Sequence, residues 1–131
     1  MSQIMTTIKK LPDLLSLKPA AEKEISDAET KLGLHFADDY REYVTEFGAI
    51  SANGVELTGV VASERLNVVN VTQQKWSLNQ SAPHDLYVIE VAGIDGIIVW
   101  QNSKGEIFQT SPNTPPTKIA DSLSSYLEKI K

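Results

Sequence analysis

The sequence predicts an α+β fold in which an N-terminal helix pair and a C-terminal helix pack on a mainly antiparallel sheet. Three observations point there. Apolar residues recur every three or four positions as far as Gly48, alternate in short runs from Ile50 to Thr110, and return to helical spacing near the C-terminus. Helical and extended runs that stay apart in sequence argue for α+β layering rather than for a parallel sheet built from βαβ units.

In chain order, Ile4, Ile8, Leu11, Leu14 and Leu15 suggest a first short helix over residues 4–15, interrupted near Pro12, which has no backbone N–H to donate. A second helix carries Ala21, Ile25, Ala28 and Leu32 on one face. Pro19 stands where a first-turn proline would, and Gly33 supplies a left-handed stop. Leu34, His35 and Phe36 then cross to a third helix that opens on Asp38 and Asp39. Carboxylates at a helix start accept free N–H groups and meet the positive end of the dipole. Tyr40, Tyr43, Val44 and Phe47 form its apolar stripe, and Gly48 ends it.

Beyond Gly48, Ile50 and Ala52 followed by Asn53-Gly54 and then Val55 and Leu57 read as a hairpin of the Asn-Gly kind. Residues 66–78, LNVVNVTQQKWSL, fit either a helix or a surface crossing, leaning helical at the Lys75 end, with Val68, Val69 and Trp76 as inward contacts. LYVIEVA at 86–92, GIIVW at 96–100 and GEIFQT at 105–110 are three strands of an antiparallel meander. SPNTPP is a rigid connector to a closing amphipathic helix that carries Ile119, Leu123, Leu127 and Ile130.

At 131 residues the chain has material for one core, so a single domain over 1–131 is expected. Its 41% hydrophobic and 22% charged residues are those of a soluble globular chain. The absence of cysteine excludes disulfides, thiolate catalysis and cysteine-ligated zinc, and suits a reducing compartment. No apolar run approaches a membrane span, and the start MSQIMTTIKK lacks the apolar stretch of a secretion signal, so a cytoplasmic protein with no membrane partner is expected.

A net charge of −5 with 12 scattered basic residues argues against direct nucleic-acid binding, which needs clustered cations, and favours a basic protein partner. From Glu22 to Glu46 eight carboxylates face only Lys23, Lys31 and Arg41, so this helical region alone matches the net charge of −5.

Motifs for catalysis are missing. His35 and His84 form no ligand pair, and neither GxSxG nor GxxxxGK occurs, so no metal, no cofactor and no catalytic residue is assigned. Gly93-Ile94-Asp95-Gly96 supplies one acid where calcium loops supply three or more, and reads as a tight turn. Asp38, Glu42 and Glu46 stack at four-residue spacing on one exposed helix face, where like charges cost a few tenths of a kcal/mol per pair. Asp38 suits the helix dipole, whereas Glu46 lies near its negative end. That face is either simply solvated or an anionic surface for a cationic partner; acid/base catalysis would need burial to shift a pKa. Trp100 closes a run apolar on both faces and is either core or the rim of a cleft. Trp76, beside Lys75, either packs inward or anchors a partner.

The pattern Ile25, Glu29, Leu32-Gly33, Phe36 to Tyr40 and Phe47-Gly48 resembles the signature of the SUKH superfamily of SMI/KNR-like domains. It departs at Phe36-Ala37, where leucine and proline are usual. The likeness continues through the hairpin, Gly93 to Gly96, the strand ending at Trp100 and the final helix, and so covers most of the chain. The resemblance implies a non-enzymatic α+β binding domain. Bacterial members are mostly immunity proteins that neutralise toxin domains, often nucleases or deaminases, and fungal members regulate cell-wall assembly. On that footing the expected partner is a basic toxin domain, met by Asp38, Glu42 and Glu46 with Trp76 and Asp95 near the contact. The alternatives are a regulatory scaffold that recruits cellular proteins and a small hydrolase built on the acidic cluster.

Overall fold

The computed structural model describes residues 3–78, 82–112 and 114–129. Ile130 of the expected closing helix and Asn113 of the connector lie outside the described residues. The chain runs α1 (Gln3–Lys9), β1 (Leu15–Ser16), α2 (Glu22–Leu32), α3 (Asp38–Phe47), β2 (Ile50–Ala52), β3 (Val55–Glu56), α4 (Val68–Leu78), β4 (Tyr87–Val91), β5 (Ile98–Gln101), β6 (Ile107–Thr110), β7 (Thr117–Ala120) and α5 (Leu123–Lys129). The strands form two antiparallel sheets, β1-β2-β3 and β4-β5-β6-β7. Around them α1 packs on α3 and α5, α2 on α3 and α4, α4 on β4, and α5 on β7. This is the expected α+β layering, with two sheets in place of one.

Local chemistry explains most boundaries. Gly33 ends α2 with φ 69° and donates its N–H to the Glu29 and Thr30 carbonyls. Gly48 ends α3 where backbones crowd: a Cβ there would stand 2.0 Å from the Lys18 carbonyl oxygen. Asn53 and Gly54 have φ 51° and 81°, the positive pair that a tight two-residue hairpin turn demands. The undecided segment 66–78 is helical from Val68, with Asn67 Oδ1 accepting the Val69 N–H at 2.9 Å and the Asn70 N–H at 3.3 Å. Val68 and Val69 are buried and Trp76 is half-buried, as their spacing suggested.

Four expectations change. The first helix stops at Lys9, because Pro12 disfavours helical geometry before it and Asp13 turns the chain at φ 55°. Leu15 therefore lies in an edge strand and is 70% exposed. Pro19 precedes the N-cap Ala21 by two residues and is not in the first turn. Ala21 is exposed rather than on the buried face, and its N–H is held by Glu24 Oε1 at 2.9 Å. Ile119 belongs to β7, which pairs with β6, so the closing helix begins only at Leu123.

The core centres on aromatic rings with satisfied hydroxyls. Phe36, Tyr40 and Tyr87 meet pairwise with centroids 4.8–5.0 Å apart. Tyr43 donates to the Thr58 carbonyl at 2.7 Å and accepts the Ile50 N–H at 3.1 Å. Tyr40 and Thr58 hydroxyls lie 2.9 Å apart, and Thr58 Oγ1 also reaches the Val88 carbonyl at 2.8 Å. The Thr58 N–H donates to the Ile89 carbonyl at 2.9 Å, so this residue joins the two sheets. Burial drives the phenol pKa of Tyr40 and Tyr43 well above the ordinary value. Trp100 is wholly buried, which makes it core, and its Nε1 donates to Thr110 Oγ1 at 2.9 Å.

Asp39 is a node of the fold rather than a simple helix cap. Its Oδ1 accepts Gln101 Nε2 at 2.9 Å and its Oδ2 accepts the Leu123 N–H at 2.9 Å, which supplies the partner that the start of α5 lacks. Desolvation raises the Asp39 pKa against these hydrogen bonds. At the other side of α5, the Tyr126 hydroxyl donates to Glu90 Oε1 in β4, where the ladder shifts register between Val88 and Glu90.

Burial raises the Glu90 pKa above its unfolded value. The native state thus binds that proton more tightly, and the associated stability is full below the unfolded pKa and lost as pH rises through the folded one. In urea melts of Glu90→Gln and the parent at pH 4, 5, 6 and 7, the variant is expected to gain on the parent steadily as pH rises. A difference that is flat or falls with pH contradicts this.

Candidate protein-binding surface

The helix pair α2 and α3 is locked by one carboxylate. Glu29 Oε2 accepts the Phe36 N–H at 2.8 Å and Glu29 Oε1 takes Arg41 Nη1 at 2.5 Å, while Arg41 Nη2 reaches Glu22 Oε1 at 2.8 Å. His35 Nδ1 lies 3.9 Å from the same Glu29 carboxylate. Glu29 sits where only 12% of its side chain is exposed, so its contacts are shielded from solvent. The hydrogen bond that Arg41 donates to Glu29 holds the Arg41 pKa above its ordinary value.

This lock determines the charge of the outer face. Arg41 is the one cation within α3, and it is committed to the shielded Glu29 and the exposed Glu22 of α2. Asp38, Glu42 and Glu46 are all exposed, and among the described residues no ion pair engages them. Glu42 and Glu46 border a shallow depression of about 320 Å³ with Met5, Arg41 and Thr45, between α1 and α3. The expected wet anionic stripe is therefore present, with its nearest cation already engaged.

The remaining candidates lie on other elements. Trp76 is on α4, where its Nε1 donates to the Leu86 carbonyl at 3.0 Å and its ring stacks on His84 at 4.2 Å and 8°. Asp95 sits in the β4–β5 turn with φ 53°, exposed, beside Gly96, where a Cβ would meet Pro112 Cγ at 2.7 Å. The turn is tight, as the glycines suggested. Thus α3 brings Asp38, Glu42 and Glu46 onto one helix, while Trp76 and Asp95 belong to α4 and the β4–β5 turn. Sequence reasoning missed the clamp between Glu29 and Arg41. Its only trace is that Glu29 is part of the motif while other acids of α2 are not.

Among the described residues no group of three or more His, Asp or Glu side chains could hold a metal ion, and no helix is long and apolar enough to cross a membrane. The half-buried Asp39 and the buried Glu90 are each held by fold-forming partners.

The chain is thus an α+β domain of five helices and two antiparallel sheets whose α3 face carries carboxylates without ion pairs among the described residues. Residues 1–130 match the SUKH_5 family, described as SMI1-KNR4 cell-wall, and the chain belongs to that family. A crystal structure of a protein from Pseudomonas syringae pv. tomato shares the fold, with a TM-score of 0.78 at 15% identity over 96% of each chain. No curated protein matches the sequence.

Replacing Glu29 by Ala is expected to lower stability by about 1–3 kcal/mol, since it strands the Phe36 N–H and frees Arg41. Glu42→Gln should stay within about 0.5 kcal/mol of the parent. Urea denaturation of the two variants checks this, and equal effects would refute the division between lock and outer face.

Proposed function

We propose that this chain is a non-enzymatic protein-binding domain that acts as a bacterial immunity protein, neutralising a basic nuclease- or deaminase-type toxin in the cytoplasm. The observation that carries the reading is the α3 face: three exposed carboxylates without ion pairs among the described residues, beside an arginine already committed to Glu29 and Glu22. Such a surface is poised for a cationic partner, because complementary charge speeds encounter and penalises wrong partners. A toxin that handles nucleic acid presents the required positive surface. Membership of the SUKH_5 family supports a binding role. In this reading Trp76 and Asp95 lie at the margin of the contact, while Asp38, Glu42 and Glu46 are central. The alternative is a regulatory scaffold, favoured by the cell-wall description of the family.

The experiment is a pull-down with tagged chain from cells that express the neighbouring reading frames, at low and high salt, followed by binding kinetics on the captured partner. The triple variant Asp38→Asn, Glu42→Gln, Glu46→Gln is expected to cut the association rate about tenfold or more and to flatten its salt dependence. A toxin that binds the triple variant as it binds the parent sinks the electrostatic reading. Recovery of several unrelated cellular proteins, with no toxin among them, favours the scaffold.

A further inference from the structure

An open groove of about 810 Å³ lies among the end of β3, the loop before α4, α4 itself and the end of β4. Among the described residues it shares no lining residue with the depression on α3. β4 is the outer strand of its sheet, so one of its edges has no strand of that sheet beside it. Along the first part of that edge the chain covers itself. Thr72 Oγ1 accepts the Val88 N–H at 3.0 Å, Thr58 Oγ1 donates to the Val88 carbonyl at 2.8 Å, and the Thr58 N–H donates to the Ile89 carbonyl at 2.9 Å.

That cover stops before Val91. The Ala92 N–H donates to the Ile97 carbonyl at 3.1 Å while the Ile97 N–H turns to the Ile94 carbonyl at 3.0 Å, so Ala92 and Ile97 occupy a hydrogen-bonded position of the ladder held by one bond. In antiparallel strands the bonded and non-bonded pairs alternate, so Val91 opposite Ile98 is of the non-bonded kind. The N–H and C=O of Val91 therefore point away from β5, and Val91 lines the groove. Glu56 lines it too, so the seam between β3 and β4, closed at Thr58 and Ile89, opens at Glu56 and Val91.

Side chains define the occupant. The 42% exposed Val91 contributes apolar surface, backed by the buried Val71 in the groove wall. Glu56 and Arg65 neutralise each other through two hydrogen bonds of 2.7 and 3.0 Å. Lys75 and Glu64 also line the groove, and among the described residues no ion pair engages either. A small anion would answer Lys75 alone. An extended polypeptide can answer Lys75, Glu64 and the Val91 backbone together, since strand addition to an open edge supplies main-chain hydrogen bonds while side chains select.

We propose that this groove receives an extended segment of a protein partner, which adds to β4 at Val91 and carries an apolar residue for Val71 and Val91, a carboxylate for Lys75 and a cation for Glu64. The proposal goes beyond the reading of α3, because it uses different residues and either contact can exist without the other.

The test is a random dodecapeptide display library panned on the full chain, with the enriched peptides synthesised and their binding measured by fluorescence anisotropy. Val91→Pro removes an N–H that lies outside the β4–β5 ladder and blocks strand addition; Lys75→Glu reverses the selecting charge. Both are expected to weaken binding about tenfold or more, with the triple α3 variant unchanged. Thermal melts report whether each variant folds. Should Val91→Pro fail to fold, Lys75→Glu together with slowed hydrogen exchange at the Val91 amide on peptide addition carries the test. The proposal is overturned if no peptide is enriched, or if the peptides bind both variants like the parent. It is equally overturned if sedimentation shows the chain dimerising through this edge, with Val91→Pro making it monomeric.

Discussion

Asp39, a half-buried carboxylate at the start of α3, finds donors from two distant parts of the chain, and this convergence ties the layers together. Gln101 of β5 and the Leu123 N–H of α5 both converge on it, and Gln101 in turn accepts the Tyr87 hydroxyl at 2.6 Å, which itself accepts the Ala37 N–H at 2.9 Å. One helix start, two strands and a second helix start are thereby registered at a single point. A carboxylate taken out of water is tolerable only when its oxygens are satisfied, so the arrangement admits little slippage. That it leaves no orphaned polar side-chain atom among the buried described residues is what lets it sit beside an aromatic core.

The same economy of polar groups governs the helix pair. Glu29 holds the crossing and Arg41 together, and in doing so it takes the cation of α3 out of play. A structural clamp on the inner side is thus the cause of an uncompensated anionic stripe on the outer side. Net charge at the level of composition cannot distinguish these two roles, because clamp and stripe are built from the same residue type. Position relative to the neighbouring helix separates them.

The two sheets meet through Thr58, whose backbone and hydroxyl bridge to β4 over only two residues. Short seams of this kind leave edge backbone exposed nearby, and natural sheets usually blunt such edges. Here Thr58 and Thr72 blunt the edge at Val88 and Ile89, while the shift of register between Val88 and Glu90 bends the strand just before Val91. The groove therefore follows from how the sheets are joined rather than from a dedicated insertion.

Local pattern alone specifies the helix pair with its stops at Gly33 and Gly48, the Asn-Gly hairpin, the three strands of the meander, and the acidic stripe on α3. Each of these is written in spacing, turn chemistry or charge inside a single element or turn, which is where local physics acts. Thr117 to Ala120 form a strand for a reason outside their own segment, since four residues after two prolines carry too little periodicity until β6 offers an edge to pair with. Tertiary structure likewise decided that Asp39 holds α5 and that Glu29 silences Arg41, because those partners lie 84 and 12 residues away. It also turned Trp76 toward the Leu86 carbonyl and His84. Local patterning specifies which elements form; hydrogen bonds between elements, which no pattern inside one element encodes, specify what each element touches and which surface it leaves open.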